Sequence, residues 1–308
     1  MSGGFDRFIG VDWSGAARPR GQHVYVAEAY RQDGRITIQS VVRARDRSAV
    51  EAYLRGEPLA RAPAWSDWPG PRPLDGRARR LVALDFAFGF PAEFRIPGLE
   101  GGWRWPDLAG WAAEVSGDGT NGTLESLRHL IEQTESLAGQ FRLHAGDSAL
   151  MHKRLTESHA PGRPESVFHL IGPSQVGLGS ITGIAMLHRL RDVDDLAVWP
   201  FDSSERVAAA KAVLVEIFPR MWLDRGTRKN ELPGRARQLQ RWQHDGVAFR
   251  GDAELAAASS GDALDAVAAA IGAARSCYRL PSPDSLPGVA RRREGWIAGV
   301  QVPALVSA

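Results

Sequence analysis

"RFIGVDWSGA", residues 7–16, is the first apolar run of the chain, and it sets an acid, Asp12, close to its end. A carboxylate at the end of a buried strand costs several kcal/mol unless something offsets it, so Asp12 implies a salt bridge, a cap for the turn at "WSGA" or a bound metal. Two more β-type runs follow, "QHVYVAEAY" at 22–30 and "RITIQSVVR" at 35–43, with Gly15, Gly21 and "QDGR" as turns. Together the three predict an antiparallel meander. A fourth run, "LVALDFAFGFP" at 81–91, is compact and apolar, as a central strand is when both of its faces are covered. It too holds a single acid, Asp85, with little turn chemistry near it to explain the charge.

The remaining pattern alternates helix and strand. A short helix is expected at 47–55, then a Pro- and Gly-rich stretch to residue 80. Residues 100–192 read as a helical and loop-rich insertion closed by one sheet-covering helix in "GSITGIAMLHRLRD". Strands are expected at 196–201 and 212–219, a basic helix at 228–243, and a last helix at 259–276, where Leu264, Val267, Ala268 and Ile271 form an apolar stripe. The organisation is one α/β domain over 1–280 and a tail, 281–308, packed on it.

Composition narrows the class. The chain has 308 residues, 44% hydrophobic and 24% charged, enough for a sizeable core. Its net charge of +2 gives no overall field for nucleic acid, so such contacts must use local Arg patches. One cysteine, Cys277, excludes a disulfide framework and a Cys-rich zinc site, and reads as a small packed side chain. No run approaches the ~18 apolar residues of a membrane span, and the expectation is a cytoplasmic protein without membrane contact.

The acids are the informative residues. Paired strands lie ~4.8 Å apart, so Asp12 and Asp85 meet if their strands are neighbours. In "GDALDA", Asp262 and Asp265 share one helix face, with Cβ atoms about 5–6 Å apart. Behind Ser259 and Ser260 they also fit a first helical turn, where acids are favoured without any ligand. Glu216 shares a strand face with Leu214 and Phe218, as a ligand or as the partner of an arginine such as Arg220. Four converging carboxylates repel unless divalent cations neutralise them, and hard oxygen donors favour Mg²⁺ or Mn²⁺.

These motifs carry a resemblance. An acid in the first strand of a meander, another in the next central strand and a D-x-x-D pair opening the last helix resemble the metal-ligand distribution of the RNase H-like superfamily, Holliday-junction resolvases in particular. "FIGVDWSGA", "VALDFAFGFP", "LIGPSQVGLGSITG", "VWPFD", "VEIFPR" and "GDALDAVAAA", in this order over residues 7–276, resemble the domain of unknown function 429 family of predicted RNase H-like nucleases. The resemblance implies a mixed sheet, an antiparallel meander plus parallel strands, flanked by helices. It also implies a divalent-metal-dependent nuclease acting on DNA or RNA, with Asp12, Asp85, Asp262 and Asp265 as catalytic metal ligands. Asp85 stands where the resolvases have a Glu. Glu216 has no clear counterpart in the superfamily and is carried as a further metal ligand.

Phosphate contacts are expected from Lys153 and Arg154, with Arg220 and Lys229 as further candidates, each weighed against a solvated surface charge. Trp65, Trp68, Trp103, Trp105 and Trp111 either stack on bases or anchor loops. "VGLGS" at 176–180 either holds an anion or allows close helix packing. Two rival functions remain at this point: an actin-like nucleotide-binding phosphotransferase, for which "DWSGA" is suggestive, and a non-catalytic binding protein on the same fold.

Overall fold

The computed structural model describes residues 4–13, 23–73, 78–99, 102–117, 124–144, 152–171 and 175–302. Gly15, Gly21 and the turn expected at 14–16 lie outside these residues. The frame is a seven-stranded mixed sheet in the order β5-β6-β4-β1-β2-β3-β7. In chain order the strands are β1 (Arg7–Trp13), β2 (Val24–Gln32), β3 (Arg35–Arg43), β4 (Arg80–Asp85), β5 (Leu196–Val198), β6 (Ala212–Glu216) and β7 (Ala248–Phe249). The first three form the antiparallel meander, joined at Asp33 and Gly34, whose φ of 50° and 77° give the two left-handed residues of a tight hairpin turn. All other pairings are parallel, so β2 alone runs against its neighbours.

Helices cover both faces. They are α1 (Arg47–Leu54), α2 (Trp105–Ser116), α3 (Leu124–Gln133), α4 (Glu135–Ala138), α5 (Leu155–His159), α6 (Val176–Leu190), α7 (Ser204–Ala209), α8 (Leu232–His244), α9 (Ala253–Ala258) and α10 (Gly261–Ser276). The strict alternation of strand side chains divides the core in two. Ile9, Val11, Val82, Leu84 and Leu214 pack with α1, α2, α3 and α6. Phe8, Leu81, Ala83, Val213 and Val215 pack with α8, α9 and α10.

Helix α10 lies unusually close to the sheet. A Cβ on Gly10 would overlap the backbone of Ala266 and Ala270, and the alanines of α10 leave it a thin, flat face. Ser260 caps the helix, its side chain accepting from the Ala263 N–H at 3.0 Å.

Several boundaries differ from the sequence reading. The run 81–91 leaves the sheet at Asp85 because the next amides find side-chain acceptors, Ala87 on Ser180 Oγ (3.1 Å) and Phe88 on Glu216 Oε2 (2.9 Å). Strand β6 ends at Glu216 rather than 219, ahead of a 3₁₀ turn at Pro219–Trp222. The edge strand β7 and the short α9 carry too few residues for a periodic signal. After α10 the chain returns to the sheet, where the Ala298 N–H donates to the Glu216 carbonyl at 2.8 Å and Trp296 is fully buried. No helix of the described residues is long and apolar enough to cross a membrane.

The Gly10 contact gives a direct test. Gly10→Val should lower unfolding stability by about 3 kcal/mol, the cost of overpacking a site where backbone rather than a movable side chain must yield. Urea denaturation of the two proteins measures it, and a difference under about 1 kcal/mol contradicts the close seat of α10.

Candidate metal centre

Asp12 and Asp85 are direct partners in the parallel pairing of β1 with β4. Both point to the α10 face, since Gly10 two residues earlier carries that helix and Leu81 and Ala83 pack beneath it. Asp265, on the second turn of α10, completes the group: Asp12, Asp85 and Asp265 each offer an oxygen within 4.8 Å of the others. Asp12 and Asp265 are buried, and Asp85 faces the cleft described below.

Burial raises the Asp12 carboxyl well above the usual carboxylate range, and the charges of Asp265, Asp85 and Asp262 push it further. Asp85 is raised in the same way, by burial first and then by Asp265. Burial also raises Asp265, opposed by the ammonium of Lys229, with which it forms an ion pair. For Lys229 burial works the other way, yet Asp265, Asp12 and Asp85 together hold its ammonium charged well above the ordinary range. Among the described residues no group donates a hydrogen bond to Asp12 or Asp85. Among the described residues the three carboxylates share the Lys229 ammonium, with the charge of Arg220 also acting on Asp265.

Asp262, half-buried one turn earlier, stands outside the three-carboxylate group and acts on it through charge alone. It lies in the first turn of α10, where the helix dipole favours an acid. His23, the residue before β2, also feels Asp262, but burial and Arg43 hold its imidazole below the ordinary value.

A cleft of about 430 Å³ opens beside the acids. Asp85 and Asp265 form one wall, and the segment 218–231, including Phe218, Arg220, Arg228 and Lys229, forms the other. Arg220 is thus at the site, with its guanidinium on the Thr227 carbonyl at 3.3 Å. Lys153 is not among the lining residues; it is exposed and donates to the Pro164 carbonyl at 2.9 Å.

Glu216 and Arg154, expected as a metal ligand and a phosphate contact, satisfy one another instead. With Val213 and Val215 facing α10, the alternation of β6 turns Glu216 to the opposite face. There Arg154 grips it with two bonds of 2.7 and 2.5 Å, donates through Nε to Glu157 at 2.9 Å, and reaches the Glu294 carbonyl at 2.9 Å. Glu157 and Glu294 take further backbone N–H donors from Arg154, Ala92 and Leu155. Arg154 is 1% exposed and cannot meet a substrate.

The other open readings resolve toward packing. Trp103 and Trp105 donate to the carbonyls of Phe94 and Phe88, each at 2.6 Å, and Trp105 stacks on Phe201 at 4.3 Å. Trp111 packs on Phe94, and Trp65 packs between Tyr25 and Trp68. Trp65, Trp68 and Trp103 anchor loops, whereas Trp105 and Trp111 belong to α2 and pack that helix onto the core. In α6 a Cβ on Gly177 would overlap the Val167 carbonyl and the Leu170 side chain, and one on Gly183 the Phe86 ring, so those glycines serve close contact. Cys277 is buried.

No family model, curated protein or solved structure matches the chain. The reading of the centre therefore rests on the geometry and donor chemistry given above.

Two outcomes follow. A carboxyl with a raised folded pKa binds more protons folded than unfolded, so its contribution falls as pH rises above the unfolded value of about 3.9. In EDTA, Asp85→Asn should therefore gain on wild type as pH rises from 4 to 8, by about 1–3 kcal/mol at neutral pH. Denaturant melts across that range measure the gap, and a gap constant with pH contradicts the raised Asp85. Arg154→Met, by contrast, strands the buried carboxylates of Glu157 and Glu216 and should cost about 3–5 kcal/mol of stability. A variant as stable as wild type would return Arg154 to the list of substrate contacts.

Proposed function

We propose that the chain is a divalent-metal-dependent nuclease of the RNase H-like type, hydrolysing phosphodiester bonds in nucleic acid. The observation that carries this reading is the meeting of Asp12, Asp85 and Asp265 from two neighbouring strands and a helix, with no hydrogen-bond donor to Asp12 or Asp85 among the described residues. The antiparallel meander followed by parallel strands supports it, since that is the layout the sequence resemblance implies.

The residues present fit Mg²⁺ or Mn²⁺. All three donors are hard carboxylate oxygens, and no thiol or imidazole joins them among the described residues. Asp12, Asp85 and Asp265 would hold the ion, with Asp262 close enough to add charge. A bound ion of this kind lowers the pKa of water and offsets charge that develops on a phosphate.

The protein supplies the rest. The segment 218–231 brings Arg220 and Arg228 to the cleft wall facing the acids, where guanidinium groups suit phosphate oxygens. Phe218 and Leu223 add an apolar surface for a sugar or base edge. A cleft of about 430 Å³ accommodates a nucleotide-sized group, which suits a single strand or a splayed end passing the acids.

The test is cleavage of labelled single-stranded, duplex and branched DNA and RNA with Mg²⁺ or Mn²⁺, comparing wild type with Asp12→Asn and Asp85→Asn. Wild type should cut, leaving 5′-phosphate ends, and each variant should lose about 100-fold or more. Equal residual rates in all three proteins would assign the cutting to a contaminant and end the proposal.

A further inference from the structure

Lys229 is held in place by its backbone and not by its side chain. Arg235 clamps the Lys229 carbonyl at 2.8 Å while its Nε holds the Ala258 carbonyl at 2.7 Å, tying the segment to the end of α9 just ahead of α10. A Cβ on Gly234 would overlap the Arg228 carbonyl, and one on Gly261 would come within 3.3 Å of the Lys229 carbonyl, so the segment is pressed onto both helix ends. The side chain then reaches across to Asp265 and remains 41% exposed to the cleft. Its one direct partner is a carboxylate of the candidate metal group, and its charge acts on Asp12 and Asp85 as well.

We infer that Lys229 is an internal counter-cation that closes the centre in the metal-free protein, and that a divalent ion must displace it from Asp265 to bind. The inference rests on the metal reading above and adds an order of events. The ammonium and the ion compete for Asp265, because an ammonium on one oxygen of that carboxylate and a divalent cation on it place like charges side by side. Once released, the side chain stays over the cleft, since its backbone cannot follow. There it joins Arg220 and Arg228 on the wall that faces a phosphate. Anion binding by that wall thus strengthens only after the ion is seated. A fixed lysine becomes a substrate contact on metal loading.

The chain has only three lysines, Lys153, Lys211 and Lys229, so acylation footprinting reports on each separately. The full chain is treated with an amine-acetylating reagent in EDTA and in saturating Mn²⁺, and each lysine peptide is quantified by mass spectrometry. Acetylation of Lys229 should rise about fivefold with Mn²⁺, as loss of an ion pair frees the amine, while Lys153 and Lys211 stay constant. Calorimetry gives the second readout: Lys229→Gln should bind Mn²⁺ about tenfold more tightly than wild type, having no ammonium to expel. Saturable Mn²⁺ binding with unchanged or reduced Lys229 labelling, or with equal or weaker affinity in Lys229→Gln, overturns the displacement and leaves the metal reading standing. Absence of Mn²⁺ binding in both proteins removes the two together.

Discussion

The backbone of α10 rests on the bare Cα of Gly10, and that contact decides where the charges of this molecule meet. Gly10 and Asp12 lie on the same face of β1, two residues apart, and Asp265 adjoins Ala266, whose carbonyl a Gly10 side chain would strike. A helix held farther out by an ordinary side chain would carry Asp265 out of reach of Asp12 and Asp85. Close packing of alanine and glycine here is therefore a requirement of the carboxylate geometry as much as of the core. The same approach sets the N-terminus of α10 against Lys229 and brings the basic segment 218–231 to the cleft.

Two groups of buried acids sit on opposite faces of one sheet, and comparing them separates structure from chemistry. Around Arg154, one guanidinium meets the carboxylates of Glu157 and Glu216, and four backbone amides meet those of Glu157, Glu216 and Glu294. Burial of charge there is compensated by geometry, and the group fastens the returning C-terminal chain to β6 and to the turn after β4. Around Asp12 and Asp85 no comparable donors arrive from the described residues. Their raised proton affinity is the physical expression of that shortage, and shortage of this sort marks a site that accepts a ligand more than one that holds a fold.

Much of this was legible in the sequence. Asp12 and Asp85 stood out because each interrupts an apolar strand, and the D-x-x-D spacing announced the helix that meets them. The meander was plain from short β-type runs set between turn residues, and the central strand from its compact apolar run. Asp262 shows the limit: spacing put both aspartates on one helix face, but only the tilt of α10 over Gly10 decides that Asp265 enters the centre and Asp262 remains at its rim. Glu216 shows another. The alternation in "VLVEIFP" says that it faces away from Val215, yet which face carries the centre is a property of the sheet and its neighbours. Arg154 carried a usable signal in its spacing to Glu157, which forms the cap of α5, so that arginine belonged to a helix start before it could belong to a substrate.

Lys229 stood out in the sequence only as a candidate phosphate contact, and its pairing with Asp265 was hidden because the two lie 36 residues apart in the chain. Its position also explains how the centre tolerates assembly. Three carboxylates brought together during folding would repel one another before any ion arrived, and the nearest mobile cation supplied by the chain itself moderates that repulsion. A lysine suits the task where an arginine would not: its single ammonium binds one oxygen without the rigid two-pronged grip that Arg154 applies to Glu216, so it can be exchanged for a stronger cation. The two faces of the sheet thus use the two basic residue types for opposite ends, a guanidinium where the pairing is permanent and an ammonium where it must yield.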